Sequence, residues 1–128
     1  MVEGIPGAVA FAGYAVVFDV VDRAGDVMRR GAFADARVVP VLWQHRGAAV
    51  GVLSVVAEDA RGLRVEGVVE DLELARLVRS GAVAGLSVGY RAVRVRQGAR
   101  RELLEVDLVE VSLVAVPMQA LARVEVRP

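Results

Sequence analysis

The chain has 128 residues, 55% of them hydrophobic and 25% charged, which suits one packed globular domain over residues 1–128 and is too little sequence for two ordinary ones. Sixteen basic residues, all arginine, balance sixteen acidic ones, so no overall field draws the chain to nucleic acid or to an anionic membrane. Cysteine is absent and His45 is the only histidine, which removes disulfides, thiolate nucleophiles, cysteine zinc sites and histidine-rich metal centres.

Lysine, threonine and asparagine are also missing, a bias read as GC-rich codon usage and given no functional weight. The longest uncharged stretch, Gly4 to Phe18, is interrupted by Pro6, Gly7 and Gly13 and falls short of the roughly 20 apolar residues a spanning helix requires. Glu3 spoils the basic start of a signal peptide. The expectation is a soluble, intracellular protein.

Short valine-rich runs, broken by glycine or charge, predict many strands and few helices. Val9 to Val20 reads as a first strand, or two segments bent at Gly13, followed by a polar turn over Asp22 to Asp26. Gly31-Ala32-Phe33 is read as a short helical turn. Val38 to Gln44 is a second strand, ending at His45 and an Arg46-Gly47 turn. Val50 to Glu58 and Gly62 to Glu70 form a hairpin around Asp59-Ala60-Arg61-Gly62. Asp71 to Arg79 is the one clear helix, with Asp71 as candidate N-cap and Gly81 at its C-terminal stop. Leu86 to Arg96, Arg101 to Val116 and Leu121 to Val126 are extended in pattern, punctuated by Gly98 and Pro117. The fold class expected is mainly β, a small closed barrel of six to seven strands with one or two short helices, since closure disposes of exposed edges.

Nucleophilic catalysis needs a hydroxyl or thiol, a base near pH 7 and a group that orients the base. The serines are Ser54, Ser80, Ser87 and Ser112, and the only imidazole is His45. Ser87 lies in Gly85-Leu86-Ser87-Val88-Gly89, formally the G-x-S-x-G pattern. An α/β-hydrolase is excluded because strand-like residues follow the serine and the histidine precedes it. The plain reading of Ser87 is a small residue beside tight glycine packing. His45 ends an apolar run that delivers it to a rim, and Trp43, which shares its parity, is read as core. A satisfied structural histidine is the commoner outcome for an isolated His.

Glu110 falls on the apolar side of the alternation in Leu104 to Val114. It is therefore carried inward, where a carboxylate needs a partner, and His45 is the natural one. The alternative is a bulge after Leu108 that turns Glu110 outward as a solvated charge. Ser112 shares the face of Glu110, as a supporting hydroxyl or a fallback nucleophile.

The order and wording of these residues resemble the prohead (capsid-maturation) protease family of tailed phages and gene-transfer agents. The pieces are Gly13 to Phe18, Asp22 to Asp26 with Gly31-Ala32-Phe33, Val41 to His45, Val50-Gly51, Gly62-Leu63, Gly81 to Tyr90, and Leu108 to Val114 followed by Pro117. After Pro117 the wording Met118-Gln119-Ala120-Leu121 departs from the family's usual alanine-asparagine-proline, and relatives often carry a longer tail.

The resemblance implies an assemblin-like barrel and a serine endopeptidase with no cofactor and no metal. It would act in the cytoplasm inside the assembling procapsid, on scaffold or the scaffold-like N-terminal segment of the major capsid protein, with a homodimer as one option. Carried over by motif, His45 is the base, Ser87 the nucleophile and Glu110 the acid, with Val88 and Gly89 as candidate oxyanion donors. The rivals are a non-catalytic assembly module on the same barrel and a serine esterase using the same three residues.

Overall fold

The computed structural model describes residues 6–128; Glu3, on which the signal-peptide argument rests, lies outside them. Among the described residues valine-rich alternation produces eight strands and one helix in the order β1 (Val9–Val17), β2 (Asp26–Met28), β3 (Val41–Trp43), β4 (Arg46–Glu58), β5 (Gly62–Val69), α1 (Leu72–Ser80), β6 (Gly85–Gln97), β7 (Arg101–Val114) and β8 (Val124–Val126). In β5, Leu63, Val65 and Val69 are fully buried while Arg64 and Glu66 between them reach outward. These side chains join Phe11, Phe33, Leu86, Leu103, Val111 and Leu113 in one core. Each such burial contributes about 1.5–3 kcal/mol relative to an exposed side chain.

Helix α1 lies where its signals put it. The Asp71 carboxylate accepts from the Leu74 amide at 2.9 Å, and Gly81 ends the helix with a φ of 85° that carries no Cβ penalty in glycine. Leu74, Ala75 and Val78 pack inward. Gly31 to Phe33 forms consecutive hydrogen-bonded turns (Ala34 N to Gly31 O, Ala36 N to Phe33 O) rather than a second helix.

The strands make one curled sheet in the order β2-β7-β3-β4-β5-β1-β8, with β6 on the other edge of β7. The expected closed barrel is instead open between β6 and β1. Among the described residues only the isolated Gly85–Arg123 bridge, made by the hydrogen bonds Leu86 N to Ala122 O and Val124 N to Ala84 O, pairs the backbones of the two sides. The cause is local. β8 is three residues long, and Gln119 takes over beyond it, its Oε1 accepting from Val17 N at 2.7 Å while its Nε2 donates to Val17 O at 2.9 Å. A side-chain amide thus stands where a strand backbone would have paired.

Other boundaries shift for identifiable reasons. β1 stops at Val17 rather than Val20 because Asp19, at φ 63°, turns the chain so that its amide bonds Met28 O. The irregularity in β1 falls between Tyr14 and Val16, not at Gly13. The Arg46-Gly47 turn is absent: β4 begins at Arg46, which pairs with Trp43, leaving Gln44 and His45 as the loop. Trp43 is 36% exposed and so is not a core residue.

Candidate active site

The β3–β4 hairpin turns on two residues, Gln44 and His45, both with positive φ, 53° and 64°. That is the pattern of a type I′ turn, normally given to Asn-Gly, and for residues with a Cβ it costs on the order of 1–2 kcal/mol each. Three hydrogen bonds over-determine it. Gln44 N donates to Leu113 O at 3.0 Å, Ala115 N donates to Gln44 Oε1 at 2.9 Å, and His45 N donates to Ser112 Oγ at 3.0 Å. Tertiary contacts with β7 therefore hold the histidine in a backbone conformation its own sequence disfavours.

On β7, Leu108 pairs with Tyr90 and Glu110 pairs with Gly89, leaving Val109 as an extra, unpaired residue. This bulge turns Glu110 away from the face of Leu108, so the carboxylate does not enter the core. Nor is it solvated, since Glu110 is only 6% exposed. Its Oε1 meets His45 Nδ1 at 2.5 Å and its Oε2 accepts from Ser112 Oγ at 2.5 Å. Gly89 makes the room: a Cβ there would fall on the Glu110 carboxylate.

A carboxylate at Nδ1 keeps the ring proton on that nitrogen and leaves Nε2 with a free lone pair. The His45 side chain is 44% exposed while that of Glu110 is 8% exposed, so the ring spans from a dry carboxylate to the solvent. Ser112 is fully buried, with its hydroxyl engaged as both donor and acceptor. Its two hydrogen-bonding roles are thus taken up by the Glu110 carboxylate and the His45 amide.

Ser87 stands on β6 directly opposite Ser112, with Cα atoms about 4.5–5.5 Å apart as in any antiparallel pair. Ser87 and His45 line one cavity of about 120 Å³, together with Val88 and Leu86 from β6 and Ala15 and Val16 from β1. It is the gap where the barrel fails to close, capped by Met118 and Gln119. Among the described residues no hydrogen bond joins the Ser87 hydroxyl to His45. Val88 lies on the cavity wall, whereas Gly89 backs onto Glu110 instead.

The same wall holds residues that the sequence did not single out for chemistry. Asp22 and Asp26, read only as a turn, line its far side with Tyr90. Gln119 was invisible because its segment has no periodicity to read. Among the described residues no group of three or more His, Asp or Glu is placed to hold a metal ion, and no helix is long and apolar enough to cross a membrane.

Solved structures share this fold. KSHV protease, in complex with a hexapeptide phosphonate inhibitor, superposes with a TM-score of 0.66 over 94% of this chain and 65% of its own, at 14% identity. Varicella-zoster virus protease gives 0.62 over 93% of this chain and 64% of its own, at 18% identity. The prohead protease of Enterobacteria phage HK97 is 33% identical over 96 residues, 66% of this chain and 43% of that protein. The chain thus spans less than half the length of this curated relative. The sequence model of the caudovirus prohead serine proteases matches residues 3–128, nearly the whole chain, and the chain belongs to that family.

Proposed function

We propose that this chain is a serine endopeptidase of capsid maturation, cutting scaffold or the scaffold-like N-terminal segment of a major capsid protein inside the assembling procapsid. Ser87 attacks the peptide carbonyl, His45 Nε2 takes the hydroxyl proton and returns it to the leaving amine, and Glu110 orients the ring and stabilises the imidazolium. Backbone amides next to Ser87, that of Val88 first, are the candidate donors to the developing oxyanion. The observation that carries the reading is the bond to a dry Glu110 from Nδ1 of His45, which lines the same cavity as Ser87. A histidine serving structure alone gains nothing from a half-exposed ring that lines the same cavity as a serine.

The test is incubation of the purified protein with its own capsid precursor, mapping any new N-terminus by mass spectrometry, alongside labelling by a fluorophosphonate. Wild type should shorten the precursor and be labelled at Ser87, and Ser87→Ala should do neither. Labelling without shortening would favour an esterase. A folded protein that does neither would favour an assembly module.

A further inference from the structure

Gln44 takes no part in the proposed chemistry, yet both its amide and its side chain are engaged. β3 pairs in parallel with β7 from Val41 opposite Val111 to Trp43 opposite Leu113. The backbone bonds of such a ladder are evenly spaced, and here Val111 N donates to Pro40 O at 3.1 Å and Gln44 N to Leu113 O at 3.0 Å. Two residues on from Leu113, Ala115 N should meet the backbone carbonyl of Gln44. The left-handed φ of Gln44, 53°, takes that carbonyl out of the ladder, and Ala115 N donates instead to Gln44 Oε1 at 2.9 Å. An amide nitrogen can only donate, so it is the oxygen of the Gln44 carboxamide that faces Ala115. The side chain supplies the rung that the turn removed.

A hydrogen bond positions a group only if its other end is fixed. Ala115 follows Val114, which pairs with Gly85 at the end of β7. Beyond it the chain is pinned again: Arg23 Nε donates to Pro117 O at 3.1 Å, Arg23 N donates to Met118 O at 3.0 Å, and Gln119 holds both backbone groups of Val17. Gln44 is thus fastened to a rigid partner at two points, which fixes the direction in which the chain leaves for His45. That matters because His45 also sits at a left-handed φ, 64°, a conformation that a residue with a Cβ gives up unless its surroundings hold it. If the turn relaxes, Nδ1 loses the Glu110 carboxylate.

We infer that Gln44 is a positioning residue for the base: its side-chain oxygen, by holding Ala115 N, keeps the His45 ring with a protonated Nδ1 on Glu110. The effect on turnover rests on the peptidase reading, whereas the effect on the ring is a property of the folded chain alone. The role belongs to the reach of the side chain and not to an ease of turning. Asparagine and glycine adopt the left-handed conformation with less strain than glutamine, but asparagine is one methylene short of Ala115 and glycine has no side-chain oxygen. Glutamate has both the reach and the acceptor. Gln44 and Ala115 are exposed, so water satisfies the amide that a shorter side chain frees, and the fold persists.

His45 is the only histidine in the chain, so the imidazole nitrogen resonances of isotope-labelled, untagged protein report its tautomer without further assignment. In alkaline buffer, wild type and Gln44→Glu should show a protonated Nδ1 and a bare Nε2. Gln44→Asn and Gln44→Gly should move both resonances toward the tautomer mixture of free imidazole. On a capsid-derived peptide these two should lose about two- to tenfold in kcat, the worth of one neutral hydrogen bond, with KM and melting close to wild type, and Gln44→Glu should recover most of that rate. The reverse order, with Gln44→Asn and Gln44→Gly matching or exceeding wild type in both readouts, would overturn the inference, as would resonances that none of the substitutions moves. The expected resonances in a wild type that cuts no precursor would support the positioning of the ring and remove the peptidase reading. A wild-type ring protonated at Nε2 instead would remove the base assignment and this inference together.

Discussion

The Glu110 carboxylate occupies the space that a side chain at Gly89 would fill. Gly89 is directly opposite Glu110 in the β6–β7 ladder, so the acid folds over its own cross-strand partner to reach His45. Gly89→Ala should therefore displace the carboxylate, cost about 1–3 kcal/mol as overpacking does, and abolish most peptide cleavage. Thermal melting and precursor cleavage measured together check it. A variant with unchanged melting and full activity would contradict the packing described.

Ser112 joins the acid to the backbone of the histidine, donating to Glu110 Oε2 and accepting from His45 N. Losing a hydrogen bond to a charged group costs about 1.5–3 kcal/mol, so Ser112→Ala should lower kcat by roughly 10- to 100-fold. KM should barely move, because Ser112 is buried away from the cavity. A rise in KM with kcat intact would mean that the residue shapes binding instead.

Glu110→Gln preserves the shape of the acid but presents an amide to His45 Nδ1, favouring the wrong tautomer. By the logic of an oriented triad, kcat should fall by about 10³- to 10⁴-fold while the fold persists. Steady-state kinetics on a capsid-derived peptide, with circular dichroism as the fold control, measure both.

Glu102 offers a pH test far from the cavity. Hydrogen bonds from Arg96, then from Arg29, bring its carboxyl from an ordinary 4.5 to about 2. A group depressed in the fold contributes stability that is whole above its unfolded value and is lost as pH falls through its folded one. Glu102→Gln should melt lower than wild type at neutral pH, and the two curves should converge by about pH 2. Parallel curves down to that pH would contradict the assignment.

At the edge of the open seam Gln119 binds both backbone groups of Val17. Gln119→Leu leaves that buried amide and carbonyl without partners, at a cost of about 1–3 kcal/mol. The matching signature is local: hydrogen exchange at the Val17 amide should accelerate more than at Val65 in the core.

What the sequence made legible was local. The caps of α1 and the β4–β5 turn could be read because Asp71 and Asp59 accept from amides, and Gly81 donates to a carbonyl, only two or three residues away. Asp59 Oδ1, for example, accepts from Arg61 N and Gly62 N. β2 escaped notice because three residues paired in parallel with β7 leave no periodic trace. The Gln44-His45 turn escaped because its left-handed conformations are imposed by Leu113, Ser112 and Ala115, against local preference. Alternation could mark Glu110 as a residue needing a partner, and it raised the bulge at Val109 as an alternative. It could not foresee that the outward face would itself be covered, which depends on Gly89 and His45 arriving from other strands.

The unpaired seam between β6 and β1 puts robustness and turnover in direct opposition. Extending β8, or any substitution that zipped these two strands together, would harden the barrel and at the same stroke erase the slot proposed for the substrate. Selection for heat resistance in this scaffold should therefore enrich changes on the far wall, around β4 and β5, and spare the rim that Gln119 holds ajar.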